Sequence, residues 1–451
     1  MASTKLTRNH SGSPTSRKKM TWSWWIKRGV LGATQYLYNQ YRSADSYNSG
    51  VLFQSDDSMR FWDYGAASND IDLQTTRLFR DVNSWYHIVL AIDTTQGTAS
   101  NRVKLYVNGV QETAFDVATY PSQDHQLRMG EAGSAYQQQI GFQGFGSTYQ
   151  SYFDGVMSHV HYVDGTQYSA SDFGSTDSTT GEWKINTSPS VTYGNNGFFI
   201  LKNGNSVTDS SSNSNAFTVA AGTLTKTEDC PSNVFCTWNR INKGSNIDMN
   251  YGNTNIYGNT NNNGNTWGTI SFPPSGKYYW ETKVIAYNSG GTGYPQIGII
   301  RDNTISQGTM NGGNDGYVAS SKDCYYPVGG TTVYSKNGNI TISATSLNDV
   351  IMCAMDSTAG NMKFWMGVNG TWWNSGDPAN GTNAIWTETG DYQSVPFIAG
   401  YNASRGDTNF GNGYFGTTAV SSAGTNASGN GIFEYDVPTG FTALSTKGMN
   451  L

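Results

Sequence analysis

Two short stretches, far apart in the chain, carry the residue pattern of a tight β-hairpin. They read NRVKLYVNGVQ (Asn101–Gln111) and NMKFWMGVNGTWW (Asn361–Trp373). The first alternates bulky apolar with polar or amphipathic residues, which is typical of a half-buried strand. In both, Asn-Gly supplies the positive φ angles that a type I′ turn needs. We therefore predict hairpin tips at Asn108-Gly109 and Asn369-Gly370. Each hairpin lies in its own run of strands, which indicates two β domains.

The composition agrees with a β protein of two domains. At 451 residues the chain exceeds one ordinary core, only 13% of its residues are charged, and it contains 53 glycines. The long Ala/Leu/Glu/Lys runs that build helices are absent, which favours short strands joined by polar turns. The net charge of −6 argues against nucleic acid as a partner. Cys230 and Cys236 could be bridged, but free thiols are the simpler expectation for all four cysteines.

No apolar stretch reaches the roughly 20 residues of a membrane span, and no signal peptide is visible. We therefore expect a soluble chain, made in a cytoplasm and not inserted into a membrane. The first 19 residues hold five basic residues and no acidic one. They are either a solvated arm or an anchor that docks on an acidic partner. The anchor candidates are Lys5, Arg8, Arg17, Lys18 and Lys19.

Strand and turn signals divide the rest of the chain into three parts. Residues 20–175 show strands about every ten residues, with turn signals between them. Residues 176–235 are rich in Ser, Thr and Asn, with one clear strand at 197–202. Their apolar anchors, such as Trp183 and Phe217, indicate a connector that packs on one or both domains. Residues 236–451 form the second run of strands and a C-terminal tail.

Two families resemble these two runs. WYHIV (Trp85–Val89) and KLYVNG (Lys104–Gly109) resemble the laminin-G/concanavalin A-like lectin sandwich. GKYYWE (Gly276–Glu281), followed by Ile297-Gly298-Ile299 and the hairpin at Asn369-Gly370, resembles a SPRY domain. Both families are two-sheet jelly rolls. The resemblance therefore implies an all-β fold class: two jelly-roll/β-sandwich domains, concanavalin A-like and then SPRY-like, joined by the packed connector.

The order of the two domains is similar to that of virion appendage proteins of marine tailed phages, notably cyanophages. The segments DGVMSHVHYVDGTQYSASDFGSTDSTTGEWK and YDVPTGFTALSTK also look similar to parts of those proteins. The resemblance implies a tail fibre, or a capsid surface fibre or decoration, that binds a host surface glycan or protein. In that setting the N-terminal arm would contact other virion proteins, and the chain would form a homo-oligomer, with a trimer favoured.

Catalytic signals are weak, and we expect no enzyme. Glycosidases on this fold often use Glu-x-Asp-x-x-Glu on one strand, and the chain has no such run. Asp70 and Asp72 would share a strand face, as would His159 and His161. Neither pair has the partners of a catalytic or metal site, and no cofactor is predicted. Calcium, which laminin-G-like domains often hold, would have three loop carboxylates available: Asp56, Asp57 and Asp63.

Binding chemistry is better supplied, because sugar recognition uses flat aromatic faces together with amides and backbone groups. In the second domain, Trp372 and Trp373 are adjacent, so only one of the two can face outward. Two alternatives stay open: a carbohydrate-active depolymerase on the same fold, and a purely structural subunit with no receptor role. The ligand-binding candidates are Trp62, Tyr64, Tyr136, Tyr149, Tyr152, Tyr325, Tyr326, Trp373 and Tyr392.

Overall fold

The computed structural model divides the chain into two compact units, Met1–Lys226 and Thr227–Leu451. It describes residues 3–9, 12–42, 48–65, 69–131, 133, 136–259, 264–287, 295–301, 322–390 and 393–450. Strands hold 46% of the residues and helices only 3%, so the predicted all-β fold class is confirmed. Within the described ranges, no helix combines the length and the apolar character that crossing a membrane requires.

The first unit contains eighteen described strands and one short helix, Ala99–Arg102. The strands are β1 (Lys5–Asn9), β2 (Lys19–Arg28), β3 (Gln35–Arg42), β4 (Asn48–Phe53), β5 (Ser58–Tyr64), β6 (Asn69–Leu78), β7 (Tyr86–Asp93), β8 (Val103–Val107), β9 (Val110–Glu112), β10 (Phe115–Thr119), β11 (Tyr136–Ile140), β12 (Gln143–Phe145), β13 (Thr148–Gln150), β14 (Gly155–Asp164), β15 (Gly174–Thr176), β16 (Trp183–Ile185), β17 (Phe198–Ile200) and β18 (Thr218–Ala221). A single 3₁₀ turn, Ala170–Asp172, precedes β15.

Two sheets form the sandwich of the first unit. The eight-stranded sheet has the order β10-β6-β5-β4-β3-β11-β1-β18, and the six-stranded sheet has the order β17-β14-β2-β7-β8-β9. Alternate residues of both sheets point into one apolar core. Trp22 of the six-stranded sheet and Tyr38 of the eight-stranded sheet meet there, with ring centroids 4.1 Å apart. Burial of this layer is the main term that stabilises the unit.

The second unit has the same plan. Its strands are β19 (Ile247–Asn250), β20 (Asn255–Gly258), β21 (Gly264–Trp267), β22 (Lys277–Ala286), β23 (Gln296–Arg301), β24 (Lys322–Pro327), β25 (Thr332–Ser335), β26 (Ile340–Thr341), β27 (Val350–Asp356), β28 (Met362–Val368), β29 (Thr371–Trp372), β30 (Trp386–Glu388), β31 (Ser394–Gly400), β32 (Arg405–Asn409), β33 (Tyr414–Phe415), β34 (Thr418–Ala419) and β35 (Thr442–Ala443). Single 3₁₀ turns lie at Trp373–Ser375 and Gly448–Asn450.

A nine-stranded and a six-stranded sheet enclose the core of the second unit. The first runs β19-β20-β32-β22-β27-β28-β29, with β30 on β28 and β35 on β22, and the second runs β21-β31-β23-β24-β25-β26. Trp280 on β22 and Phe364 on β28 stack in the core at a centroid distance of 5.8 Å. The tryptophan of the GKYYWE stretch is therefore a core residue.

Both predicted hairpins are present, and each asparagine does more than turn the chain. Asn108 (φ 48°) and Asn369 (φ 47°) adopt positive φ, as do the glycines that follow. The Asn108 side-chain oxygen accepts the N–H of His87 at 2.7 Å. The Asn369 side-chain oxygen accepts the N–H of Val350 at 2.9 Å. Each tip is thus bonded to the strand that precedes its hairpin, in the first unit and in the second alike.

The predicted connector does not stand apart in the structure. Its residues up to Lys226 lie in the first unit, where β17 pairs with β14 and β18 pairs with β1. The segment around Trp183 covers the outward face of the six-stranded sheet. There the Trp183 indole N–H donates to His87 Nδ1 at 2.9 Å. The His87 proton is therefore on Nε2, which lies 2.9 Å from Ser23 Oγ, and burial lowers the pKa of His87 to about 3.

His159 and His161 do lie side by side: their ring centroids are 6.4 Å apart, and both rings contact Phe199. The β2–β14 pairing is irregular between Ser158 and His161, and His159 has a positive φ of 49°. His159 Nδ1 contacts Ser158 Oγ at 2.7 Å, whereas His161 Nδ1 contacts the Tyr193 hydroxyl at 2.9 Å. The two rings have separate hydrogen-bond partners.

A C-terminal segment covers the outward face of the nine-stranded sheet, with Phe433 and Phe441 packed against Tyr279 and Trp365. Glu281 lies buried beneath it. Its carboxylate accepts the N–H groups of Glu434 (2.9 Å) and Tyr435 (2.8 Å) and the Tyr279 hydroxyl (2.9 Å). Burial raises the pKa of Glu281 to about 7, although these donors oppose the shift.

The turn asparagines give a prediction about stability. Asn108→Ala should lower the free energy of unfolding of the first unit by about 2 kcal/mol, because alanine is strained at positive φ and the His87 N–H loses its acceptor. Asn108→Gly tolerates the φ angle and should cost only about 1 kcal/mol. Urea unfolding followed by tryptophan fluorescence measures both. Equal losses would show that the positive φ carries no strain.

Glu281 gives a prediction about pH. The pKa of Glu281 is raised from 4.5 to about 7 in the folded chain. Between these values the folded state keeps a proton that the unfolded state releases, so this contribution to stability is lost as pH rises. Glu281→Gln, which cannot titrate, should therefore gain stability relative to wild type between about pH 5 and about pH 8.

Urea unfolding at the two pH values measures this difference. Glu388→Gln is the matched control, because it removes a carboxylate of the same unit that pairs with Lys336 at the surface. A stability difference between wild type and the Glu281→Gln variant that is the same at both pH values would contradict the prediction.

Candidate functional site

The outward face of the eight-stranded sheet in the first unit is rich in polar and aromatic side chains. On β4, Val51 and Phe53 point into the core, so Asn48, Gly50 and Leu52 point outward. The strand register places outward-pointing residues of β3, β5, β6 and β11 beside them on the same face. We call it the polar–aromatic face, and it comprises Tyr36, Asn39, Tyr41, Asn48, Gly50, Arg60, Trp62, Tyr64, Asp72, Gln137 and Gln139.

Gly50 lets two aromatic rings meet at the centre of the face. It lies opposite Asn39 on β3 and opposite Trp62 on β5. A Cβ atom at Gly50 would come within 2.8 Å of a Tyr36 ring carbon and 3.0 Å of Trp62 Nε1. The absence of a side chain therefore permits the close approach of Tyr36 and Trp62. Burial raises the pKa of Tyr36 to about 12, so its hydroxyl stays neutral.

Two asparagines on this face are buried without full hydrogen bonding. Asn39 is 0% and Asn48 is 3% exposed. The Asn39 side-chain nitrogen donates to Gln139 at 2.7 Å. Its side-chain oxygen accepts no hydrogen bond from any described residue. For Asn48, neither the oxygen nor the nitrogen of the carboxamide has a partner there. Buried amides normally find partners, so the unpaired carboxamide of Asn48 is suited to bind polar groups of a ligand.

Asn48 lies between two aromatic residues. Its strand neighbours are Tyr41 on β3 and Tyr64 on β5. An amide that can both donate and accept, flanked by aromatic side chains, matches a ligand that has hydroxyls on its rim and C–H groups on its face.

The hairpin β12–β13 covers the β3–β11 side of the face. Gln143 donates to the Tyr36 hydroxyl at 2.8 Å, and the N–H of Gly144 donates to Gln139 at 2.8 Å. Phe145 packs edge-on against Tyr41 at 5.2 Å. Trp62 and Tyr64, on the β5 side, stay half-buried. A ligand would therefore approach from the β5–β6 side.

The predicted aromatic candidates of the first unit do not all meet. Trp62 and Tyr64 lie on the polar–aromatic face. Tyr136 is buried, and its hydroxyl accepts a hydrogen bond from Arg42 at 3.1 Å. Tyr149 is exposed, with Lys5 Nζ 3.5 Å from its ring centroid. Tyr152 stacks on Phe142 at 6.1 Å, outside the face.

In the second unit, two candidates prove to be core residues. Tyr326 is fully buried, and Trp373 packs edge-on against it at 4.9 Å. Their rings fill the space between the sheets, so they are unavailable to a ligand. Tyr325 points to the other side of β24 and stacks on Tyr334 at 5.0 Å. Tyr392 lies outside the described residues.

The basic N-terminal segment is not a free arm in the structure. Lys5–Asn9 forms β1, between β11 and β18. All five basic side chains have partners within the first unit: Lys5 the Tyr149 ring, Arg8 Gln138 and the Asn196 carbonyl, Arg17 Glu131, Lys18 Asp124, and Lys19 Asp93. Three of the five pair with a carboxylate, and the anchor role stays a prediction.

The three carboxylates weighed for calcium point to separate partners. Asp56 accepts from the N–H and hydroxyl of Ser58. Asp57 pairs with Arg28 at 3.2 Å and Arg80 at 3.3 Å. Asp63 accepts the N–H groups at positions 128 and 129. In the described part of the chain, no group of three or more His, Cys, Asp or Glu side chains could hold a metal ion.

Sequence reasoning found Trp62 and Tyr64 but missed the rest of this face. The signal was present in QYLYNQYR (β3) and NSGVLF (β4), where amides and tyrosines alternate with core residues. Which strands are neighbours decides whether those residues meet, and that order is not visible in the local pattern.

Comparison with known proteins agrees with the concanavalin A-like prediction for the first unit. Residues 3–166 match a family model, Laminin_G_3, described as the concanavalin A-like lectin/glucanases superfamily. The match includes β1, which lies before the predicted domain start at residue 20. A search of curated proteins finds no match.

Several solved structures are similar to parts of the chain. The SPRY domain of human HERC1 is 16% identical, covering 38% of this chain and 96% of that one, with a TM-score of 0.29. A heptameric SAP-like pentraxin from Limulus polyphemus is 15% identical, covering 37% and 72%, with a TM-score of 0.28. The CBM40 of a Ruminococcus gnavus IT-sialidase, bound to α2,3-sialyllactose, is 11% identical, covering 34% and 87%, with a TM-score of 0.25.

Proposed function

We propose that the first unit is a non-catalytic glycan-binding module and that its ligand binds on the polar–aromatic face. The observation that carries this proposal is the buried carboxamide of Asn48, unpaired among the described residues and placed between Tyr41 and Tyr64. Sugar hydroxyls both donate and accept hydrogen bonds, so they can satisfy this amide. The match of residues 3–166 to a family of lectins and glucanases supports the proposal.

The carboxylates near the face support binding without catalysis. Asp72, which lies on the face, is held by Arg60 through two hydrogen bonds. Asp63 and Asp70 each lie 3.8 Å from His125 Nε2. Both Asp63 oxygens accept backbone N–H groups, and its side chain is 0% exposed. Glycoside hydrolysis needs two carboxyl groups that reach the scissile bond, and Asp63 is not available for that role.

The setting that we propose is a phage particle surface, as a tail fibre or a capsid fibre or decoration. The sequence resemblance to virion appendage proteins supports it. Host glycan or protein would then be the natural ligand, and a homotrimer would multiply weak contacts by avidity. The alternative of a purely structural subunit differs in one respect: it would bind no host ligand.

Glycan binding is tested with two substitutions on the face. Trp62→Ala and Asn48→Ala should each weaken binding about tenfold or more, because each removes a contact surface or a hydrogen-bonding group worth about 1 to 2 kcal/mol. Glycan arrays would first identify a ligand, and titration calorimetry would then measure the affinities. Tyr257→Ala is the control, because Tyr257 is an exposed aromatic residue of the second unit.

If both face variants bind with unchanged affinity and Tyr257→Ala binds more weakly, the glycan site does not lie on the polar–aromatic face. Release of reducing ends from a bound polysaccharide by the wild-type chain would instead support the depolymerase alternative.

The virion setting has its own test. We expect antibodies against the recombinant chain to label purified particles at regular positions, because an appendage occupies symmetric sites. Mass spectrometry of the same particles should detect the chain at a stoichiometry that is a multiple of its oligomer. Particles that lack the chain, from cells that express it, would contradict a virion role.

A further inference from the structure

The charged side chains on the polar–aromatic face are already compensated. Arg60 Nε donates to Asp72 Oδ1 at 2.7 Å, and its terminal NH2 group donates to Asp72 Oδ2 at 2.6 Å. This is a bidentate pair, the strongest arrangement of a guanidinium and a carboxylate. Lys5, next to the hairpin β12–β13, lies over the Tyr149 ring. Neither cation is available without breaking an existing contact.

Two further carboxylates border the β6 side, from which a ligand would approach. Asp56 accepts from Gln74 at 3.3 Å, and Asp116 accepts from Thr76 at 2.7 Å. Asp72 and Gln74 lie opposite the outward residues Trp62 and Arg60 of β5, so both lie on the outward side of β6. Two carboxylates therefore border this side of the face, although the exposed Arg80 lies within electrostatic reach of Asp56.

The groups left to bind a ligand are neutral. Among the described residues they are the carboxamide of Asn48 and the rings of Trp62 and Tyr64. A carboxylate or sulfate group of an acidic sugar would lose water without gaining a free cation among the described residues of the face. A sugar hydroxyl loses little free energy when it leaves water, because the unpaired amide supplies both a hydrogen-bond donor and an acceptor.

We propose that this face selects neutral sugars over sialylated, uronic or sulfated ones, and that Asp72 determines this specificity by occupying Arg60. The inference rests on the proposed function of the face. It adds the chemical class of the ligand and the residue that excludes the competing class.

The decisive variant is Asp72→Asn, which keeps the size of the side chain but frees the charge of Arg60. The experiment measures the affinity of the full chain for one neutral oligosaccharide and for its sialylated and sulfated forms. Wild type should bind the neutral form at least about tenfold more tightly than the acidic forms. In the Asp72→Asn variant, the preference for the neutral form over the acidic forms should decrease or reverse.

Glu112→Gln is the matched control. It makes the same change in net charge at the Arg77–Glu112 pair, which joins β6 to β9 away from the face. Its ratio of neutral to acidic affinity should equal that of wild type. Binding of the neutral form should also vary little between about 50 and 500 mM salt, because no ion pair with the ligand is made.

The outcomes separate the inference from the function on which it rests. Preference of wild type for an acidic form, lost in Trp62→Ala, would overturn the neutral-sugar inference and retain glycan binding on this face. A folded Asp72→Asn variant with an unchanged ratio would overturn the role of Asp72. No binding to any form would overturn both proposals. If Asp72→Asn does not fold, the wild-type ratio and its salt dependence decide the ligand class.

Discussion

The closure of an apolar layer between two sheets is the constraint on which both units depend. Each sheet turns one set of alternate residues inward, where rings such as Trp22 and Tyr38 meet across the layer. Alternation along a strand then forces an equal number of residues onto the outward face of the same sheet. The outward face of each sheet must therefore be either covered by other segments or made of residues that tolerate water, and the sheets differ in this respect.

Two of the outward faces are closed by the chain itself. The segment around Phe173 and Trp183 covers the six-stranded sheet of the first unit. The C-terminal segment covers the nine-stranded sheet, where buried Glu281 accepts its backbone N–H groups. The eight-stranded sheet is different, because among the described residues a short hairpin covers the β3–β11 side of its outward face but not the β5–β6 side. The unpaired amide of Asn48 and the half-buried ring of Trp62 lie on that face. Function is proposed where the cover is incomplete.

Local and long-range interactions support one another at the two Asn-Gly turns and at Gly50. The turn asparagines satisfy the local need for positive φ and also bind a strand about 20 residues earlier in sequence. Gly50 lies within a strand and forms no turn. Its missing side chain leaves the space in which Tyr36 and Trp62 approach each other. A glycine in a strand commonly marks such a close approach, and here it shapes the candidate site.

The sequence by itself determined the all-β class and the two hairpins, because turn chemistry and period-2 alternation act over a few residues. Only the tertiary structure decided which aromatic residues are open to a ligand. Tyr326 and Trp373 have the composition of a binding site but fill the core, whereas Asn48 gains its importance from Tyr41 and Tyr64 on neighbouring strands. The basic segment likewise became a strand because β11 and β18, from much later in the chain, pair with it. Such pairings join residues more than a hundred positions apart, and no local pattern encodes them.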